Sequence, residues 1–186
     1  KKKAKELNLD NQVNFELSDY RAVKNKYEKI VSVGAFEHFG KKFYKTFFEK
    51  INNIMTDNGI CLLHTIGSVD PPGPAQPFIQ KRIFPGGTIP SLSDMVKPIE
   101  KSGLIITDCE TLIHHYDKTL KIWLERFLNN KDKAKSLYNK EFVKMWECYL
   151  AMCSAAFKFR DLVVYQLQLV KNFNAPPSNR RNYIYQ

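Results

Sequence analysis

Apolar and polar residues alternate with a period of two in several short stretches of the chain, which is typical of β-strands. Val13, Phe15 and Leu17 alternate in this way, and four later stretches are apolar along most of their length. Polar residues or glycine border these stretches, so each can end in a turn. The sequence therefore predicts five strands, at Val13–Leu17, Tyr27–Val33, Ile60–Ile66, Leu104–Leu112 and Asp161–Val170.

Between the predicted strands, apolar residues recur every three or four positions, which is the spacing of one helix face. Lys42–Met55 has this spacing, and Asp57-Asn58-Gly59 behind it is predicted to stop the helix with a left-handed turn. Ser91 and Asp94 have the spacing of a capping box, which predicts a short helix that ends before Gly103. Two further stripes predict helices, one of Leu120, Trp123, Leu124, Phe127 and Leu128 and one of Phe142, Met145, Trp146, Tyr149 and Cys153.

The remaining segments are predicted to lie outside the strands and the long helices. Pro71, Pro72 and Pro74 can continue neither a strand ladder nor a helix, so Gly67–Pro77 is predicted to be a loop. The other segments are the end of a helix at Lys1–Leu7, an irregular insertion at Gln80–Pro90 and a loose tail at Asn174–Gln186.

Strands that alternate with helices indicate an α/β fold, in which helices cover both faces of a sheet. Ligands of such sheets bind outside the carboxyl ends of the strands. Glu37 follows one predicted strand, His64 ends another and Tyr116 follows a third. We therefore expect these three side chains to share one site.

Each candidate residue also has an ordinary structural interpretation when it is considered alone. A loop glutamate is most often solvated, His64 on an apolar strand suits a hydrogen-bonded core residue, and Tyr116 suits the core or its rim. His38 can cap its own turn. His114 and His115 have no third ligand at metal-site spacing, so no metal site is predicted.

The amino-acid composition restricts the classes of protein to which this chain can belong. The chain has 186 residues, of which 44% are apolar and 26% charged, and this suits one globular domain with a sizeable core. No membrane-spanning segment or secretory leader is expected. The four cysteines lack zinc-site or disulfide spacing, which fits free thiols in a reducing cytosol.

The net charge of +10 can attract nucleic acid or an anionic membrane. No groove-reading motif accompanies this charge, so specific nucleic-acid binding is not predicted.

Four stretches of the chain carry a family resemblance: FEHFG at 36–40, LLHTIG at 62–67, IFPGGTIPSL at 83–92 and YDKTLKIWLERF at 116–127. Together, in this order and at this approximate spacing, they resemble cyclopropane-fatty-acyl-phospholipid synthases. That family uses S-adenosylmethionine to add a one-carbon bridge across lipid double bonds. The resemblance covers residues 5–171 and implies a class I S-adenosylmethionine-dependent methyltransferase fold, a Rossmann-like sheet with helices on both faces.

The resemblance also implies a bicarbonate ion as catalytic base, held by Glu37, His64, Tyr116 and the backbone of Ile66. The alkene attacks the sulfonium-bound methyl group, and the resulting carbocation must lose a proton before the ring closes. His64 and a backbone N–H can donate to the anion, while Glu37 can accept the bicarbonate O–H. Tyr116 can offer its hydroxyl or its ring face to the cation.

Residues that bind the cofactor and the lipid follow from the same resemblance. Asp19 accepts from the adenine amine, Tyr20 stacks on the adenine, and Val33 and Gly34 approach the cofactor through their backbone. The acyl slot would be lined by the apolar insertion, namely Phe78, Ile79, Ile83, Phe84, Ile89 and Leu92. A loop that simply packs onto the core is an equally ordinary interpretation of this insertion.

Two parts of the family's pattern have no counterpart in this sequence: the glycine-rich cofactor loop and the acidic residue that holds the ribose. The two strands to which they belong would lie between Val13–Leu17 and Tyr27–Val33, so a gap in the sheet with exposed apolar edges is expected. We therefore interpret the chain as the carboxyl-terminal half or more of the enzyme, either a fragment or the product of a decayed gene. Residues 1–173 would form a partial methyltransferase domain with a lipid-binding insertion at 68–103 and a helical segment at 118–158, followed by a flexible tail at 174–186.

The predicted function is transfer of a methylene from S-adenosylmethionine to cis double bonds of unsaturated phospholipid acyl chains, with bicarbonate as base. The protein would work in the cytoplasm at the inner face of the membrane, and a homodimer is compatible with this interpretation. The isolated chain is not expected to bind the cofactor well. Two alternatives stay open: a related lipid C-methyltransferase that diverts the cation, and a non-catalytic remnant that binds a membrane surface or a partner.

Overall fold

The structure is a computed structural model that describes residues 1–74, 76–175 and 182. The described residues form one mixed sheet in the order β1-β2-β4-β3. Its strands are β1 (Tyr27–Val33), β2 (Met55–Ser68), β3 (Ile105–Leu112) and β4 (Leu162–Val170). β1 and β2 are parallel, while β4 is antiparallel to both β2 and β3. β1, β2 and β3 therefore run in one direction, and their carboxyl ends meet at the same edge of the sheet.

Seven α-helices are found in the described part of the chain. They are α1 (Lys2–Glu6), α2 (Tyr44–Ile54), α3 (Pro77–Arg82), α4 (Leu92–Lys101), α5 (His115–Asn129), α6 (Lys131–Leu137) and α7 (Lys140–Phe159). Helices α2 and α4 pack on one face of the sheet, and α3, α5 and α7 pack on the other. This arrangement confirms the α/β fold with helices on both faces.

Two hydrophobic cores follow from the alternation of side chains along the strands. Leu63 of β2 and Leu167 of β4 point into the first core, beneath α2 and α4. Ile66 of β2 and Val164 of β4 point into the second core, beneath α5 and α7. Because Ile66 lies near the carboxyl end of β2, the second core reaches the edge at which a site is expected.

The prediction of a strand at Val13–Leu17 is wrong. This segment forms neither helix nor strand and pairs with none of the described strands, and the side chain of Leu17 is fully exposed. Alternation provides one apolar side, but a strand also needs a neighbour for its backbone groups. The described sheet is continuous, and its open apolar edge lies at β1, where Val31 and Val33 are 65% and 62% exposed.

Two further boundaries differ from the sequence predictions. Helix α2 ends at Ile54, and Asp57-Asn58-Gly59 lies inside β2. Tyr27 pairs with Met55 and Lys29 with Ile60, so these turn-forming residues make a bulge within the strand. The second difference is α3, a helix in a region predicted to be irregular. Its first turn begins with a proline, and Gln76 caps it by accepting from the Ile79 N–H at 2.8 Å.

The other predicted elements are confirmed, with small differences at their ends. The bounds of β1 agree with the prediction, β3 and β4 each begin one residue later, and the two apolar stripes lie on α5 and α7. Most of the tail predicted from Asn174 onward lies outside the described residues.

The capping box that opens α4 is present, and it carries a testable prediction. The Ser91 hydroxyl accepts from the Asp94 N–H at 3.2 Å, and the Asp94 carboxylate accepts from the Ser91 N–H at 3.1 Å. Ser91→Ala is expected to lower the free energy of unfolding by about 1 kcal/mol, because a buried cap is lost. Urea unfolding followed by circular dichroism measures this loss. Ser136→Ala is the control, since the Ser136 hydroxyl is exposed, and an equal loss in both variants would contradict the prediction.

Candidate active site

Glu37 lies directly after β1, in a short turn formed by Phe36–His38, and its side chain is buried. Gly34 ends the strand with a left-handed backbone, φ +62°. The Gly34 N–H donates to the His64 carbonyl at 3.1 Å, so the next partner along this parallel ladder would join the Ile66 N–H to the Gly34 carbonyl. Instead, the Ile66 N–H donates to Oε1 of Glu37 at 2.6 Å. A side-chain carboxylate therefore continues the ladder where β1 turns away.

The second carboxylate oxygen of Glu37, Oε2, is buried and has no hydrogen-bond partner among the described residues. A buried carboxylate oxygen without a donor is energetically unfavourable, by about 1–3 kcal/mol or more for a charged group. Such an atom is suited to accept from an O–H or N–H of a bound molecule. The O–H of a bicarbonate ion fits this requirement.

Tyr116 packs in the second core together with Ile66, whose N–H holds this carboxylate. It is in the first turn of α5, and its ring stacks on Phe157 with the ring centroids 5.0 Å apart. Burial raises the pKa of the Tyr116 hydroxyl, and the negative charge of Glu37 raises it further. Tyr116 therefore keeps its proton at neutral pH and can donate a hydrogen bond toward an anion.

His64 lies in β2, two residues before Ile66, so the two side chains are on the same face of the sheet. Two residues along a strand correspond to roughly 7 Å. The His64 side chain is half-buried and makes no hydrogen bond to Glu37 within the described residues. The structure thus brings Glu37, Ile66 and Tyr116 together in a group that we call the Glu37 cluster, with His64 at its side. The sequence predicted that the Ile66 N–H donates a hydrogen bond to the bound anion. In the structure it donates to the Glu37 carboxylate instead.

Sequence reasoning missed two residues that hold the Glu37 turn in place. The Thr88 N–H donates to the main-chain carbonyl of Glu37 at 2.8 Å, and the Thr88 and Tyr44 hydroxyls are 3.2 Å apart. Burial raises the pKa of the Tyr44 hydroxyl, and the charges of Asp94 and Glu37 raise it further. Thr88 lies within one of the stretches that carry the family resemblance, but only its apolar neighbours were predicted to line the acyl slot. Its contact with Glu37 is made by the backbone N–H, which nearly every residue type has, so the identity of the residue does not indicate it.

The apolar insertion is divided between the two cores. Phe78 and Ile83 pack against the second core, which also contains Ile66 and Tyr116. The Phe84 ring is 41% exposed and lies 5.5 Å from the His38 ring and 6.1 Å from the Tyr149 ring.

One residue predicted for the acyl slot, Leu92, lies on the other face of the sheet. Ile89 is 37% exposed, and Leu92 packs against the first core, on the opposite face of the sheet. Of the predicted lining, Phe78, Ile79, Ile83 and Phe84 therefore lie on the side of the Glu37 cluster.

The residues predicted to hold the cofactor differ in how accessible they are. The Asp19 carboxylate accepts from the Arg21 guanidinium at 2.6 Å, and these hydrogen bonds hold the pKa of Asp19 at about 2. The Tyr20 ring stacks on Phe39, 5.0 Å between centroids. Val33 is exposed, and an added Cβ at Gly34 would meet no atom within 4 Å. The Val33–Gly34 backbone is therefore open to a ligand, whereas Asp19 and Tyr20 already have partners within the chain.

Other reactive groups are less suited to a role as base. Burial raises the pKa of the Cys61 thiol to about 12 and that of Cys153 to about 11, so both stay protonated. No group of three or more His, Cys, Asp or Glu side chains within residues 1–74 and 76–175 could hold a metal ion. In the same residues, no helix is long and apolar enough to cross a bilayer. Glu37 is the candidate base at this edge of the sheet.

Solved structures with this fold define the class of protein. The cyclopropane synthase MmaA2 from Mycobacterium tuberculosis is 29% identical with a TM-score of 0.76, over 86% of this chain and 62% of that chain. The mycolic acid cyclopropane synthase CmaA1, solved with SAH and CTAB, is 30% identical with a TM-score of 0.76, over 83% of this chain and 59% of that chain. The fold is that of S-adenosylmethionine-dependent methyltransferases.

The family can be stated more closely. Residues 1–167 match the model of the family described as mycolic acid cyclopropane synthetase, and the chain belongs to this family. The cyclopropane-fatty-acyl-phospholipid synthase of Escherichia coli K12 is 38% identical over 151 residues, which are 81% of this chain and 39% of that protein. The tuberculostearic acid methyltransferase UfaA1 of M. tuberculosis H37Rv is 34% identical over 172 residues, which are 89% of this chain and 40% of that protein. The chain thus spans less than half the length of either relative.

Proposed function

We propose that the protein transfers a methylene from S-adenosylmethionine to cis double bonds of unsaturated phospholipid acyl chains and forms cyclopropane fatty acids. The observation that carries this proposal is the buried Glu37 carboxylate, whose Oε1 is held by the Ile66 N–H while Oε2 has no partner among the described residues. The names of the relatives support the reaction class. The substrate is part of a bilayer, so the protein would work at the cytoplasmic face of a membrane.

In this reaction, S-adenosylmethionine supplies an electrophilic methyl group, and the alkylated lipid must then lose a proton. Bicarbonate, when bound, supplies a small base that can reach into an apolar slot. The residues of this chain would orient it: Oε2 of Glu37 would accept its O–H, and Tyr116 would donate to it. Because the Ile66 N–H holds Oε1, the carboxylate has one orientation, and Oε2 is left to accept the bicarbonate O–H.

Exclusion of water is the second contribution of the chain. A carbocation that meets water is trapped as an alcohol, so the site must be dry when the proton leaves. Phe78 and Ile83 pack on the same core as Tyr116, and Phe84 lies beside them at the surface. These side chains would cover the acyl chain while Glu37 and Tyr116 act on it.

A related lipid C-methyltransferase is a second candidate, because the relative named tuberculostearic acid methyltransferase aligns with 89% of this chain. In that case the cation would lose a proton from a neighbouring carbon to the bound base, which leaves a branched, unsaturated chain and no ring. The two candidates share the methyl transfer and differ only in the fate of the cation. The product therefore distinguishes them.

A chimera tests both candidates. This chain would replace the segment that it matches in the E. coli cyclopropane-fatty-acyl-phospholipid synthase, in cells that lack their own enzyme. We expect membrane phospholipids to gain one methylene per modified double bond, with a cyclopropane ring visible by mass spectrometry and NMR. Branched chains that carry the added carbon without a ring would favour the second candidate. Unmodified lipids from a chimera that folds and binds S-adenosylhomocysteine would contradict both.

A further inference from the structure

A row of aromatic side chains begins at Tyr138, just before α7, and continues along that helix. The Tyr138 and Phe142 rings are 4.1 Å apart, Phe142 and Trp146 are 5.7 Å apart, and Trp146 and Tyr149 are 5.1 Å apart. Tyr138 is 65% exposed, whereas Tyr149 is buried in the second core. This aromatic row therefore leads from solvent into the second core, which also contains Tyr116.

The outer end of the row carries an exposed apolar tip. Leu137, the last residue of α6, is 67% exposed and lies directly before Tyr138. Residues 131–144, which we call the α6 tip, contain five lysines and two acidic residues. Lys131 pairs with Glu147 at 2.8 Å. The other four lysines are exposed and form no ion pair within the described residues; they are Lys133, Lys135, Lys140 and Lys144.

This combination suits the surface of an anionic bilayer. Leu137 and Tyr138 can enter the headgroup region, where a tyrosine keeps its ring in an apolar layer and its hydroxyl in water. The lysines around them would meet lipid phosphates. A protein partner is a poorer match, because the centres of protein interfaces are depleted in lysine. Two copies of the α6 tip facing each other would repel.

We propose that the α6 tip is the surface through which this chain docks on an anionic phospholipid bilayer. Docking in this orientation places the outer end of the aromatic row in the lipid and its inner end beside Tyr116. The row would then guide an acyl chain toward the Glu37 cluster, a step that rests on the proposed function. The docking itself rests only on the exposed apolar residues and the lysines.

Vesicle sedimentation with the 186-residue chain tests the docking. The vesicles would contain equal parts phosphatidylglycerol and phosphatidylcholine, with pure phosphatidylcholine for comparison. We expect binding to the anionic vesicles that falls as salt rises. Each lysine near such a surface contributes a factor of about five to the binding constant, so Lys133→Glu with Lys135→Glu should weaken binding by at least about tenfold. Leu137→Ser with Tyr138→Ser should weaken it by a similar factor.

Matched controls separate this surface from general attraction. Lys2→Glu with Lys3→Glu makes the same charge change in α1, and Phe159→Ser removes an aromatic ring that is 73% exposed at the other end of α7. Both controls should bind nearly as the unchanged chain does. Equal losses in the control variants would overturn the proposal, as would equal binding to neutral vesicles or no binding at all.

Sedimentation equilibrium provides a further check. If Leu137→Ser with Tyr138→Ser dissociates a dimer but leaves vesicle binding unchanged, the tip is a contact between copies and the proposal is wrong. These experiments measure binding without turnover, so they test the docking surface separately from the proposed function. An inactive chimera would contradict only the proposed function. An active chimera whose chain does not bind vesicles would contradict only the docking surface.

Discussion

Glu37→Gln is expected to reduce cyclopropane formation by the chimera at least about 100-fold, which is the usual size of a general-base effect. The glutamine carbonyl can still accept from the Ile66 N–H, which Glu37 now does at 2.6 Å. The amide nitrogen would then take the place of Oε2 and cannot accept an O–H. The variant therefore keeps the turn but loses the acceptor. Gas chromatography of lipids from cells that express each chimera measures the product.

The control for this change is Glu49→Gln on α2, whose carboxylate lies at the surface 3.5 Å from Lys45. It should leave the product level unchanged. The affinity for S-adenosylhomocysteine and the melting temperature should be similar for Glu37→Gln and the unchanged chimera, so that the loss lies in kcat. Ring formation at near-normal rates with Glu37→Gln would show that this carboxylate is not part of the base site.

Phe36→Ala is expected to lower the free energy of unfolding of this chain by about 3–5 kcal/mol. The Phe36 side chain is fully buried beside three rings of α2, with centroid distances of 4.2 Å to Tyr44, 5.2 Å to Phe47 and 5.4 Å to Phe48. Alanine would leave a cavity among them. Since domains are stable by about 5–15 kcal/mol, this is a large share of the total. Urea unfolding followed by circular dichroism measures the change.

Two further variants keep this prediction testable if Phe36→Ala does not fold. Phe36→Leu retains most of the volume and should cost less than about 2 kcal/mol. Phe159→Ala removes an exposed ring and should change stability by less than about 0.5 kcal/mol. Similar midpoints for Phe36→Ala and Phe159→Ala would contradict the packing described here. Because Phe36 precedes Glu37, the same variant should also disturb the Glu37 cluster.

Part of the candidate site could be predicted from the sequence, because strand ends are local features. Glu37 and Tyr116 each follow an apolar stretch, and the rule that parallel strands end at one edge of a sheet places them together. The hydrogen bond between Glu37 and the Ile66 N–H could not be predicted, since it joins residues 29 apart in the chain and involves a backbone group. For the same reason, residue type did not indicate that Thr88 holds the backbone of the Glu37 turn.

The sequence by itself determined the elements that depend on neighbouring residues. β1, the stripes of α5 and α7 and the Ser91–Asp94 capping box were predicted correctly, because periodicity and capping act over a few positions. Only the tertiary structure decided where strands find partners. Val13–Leu17 alternates correctly yet has no described neighbour, and Asp57-Asn58-Gly59 forms a bulge because β2 continues past it to pair with β1 and β4. A strand is stabilised by hydrogen bonds to distant segments, and its own sequence does not specify which segments those are.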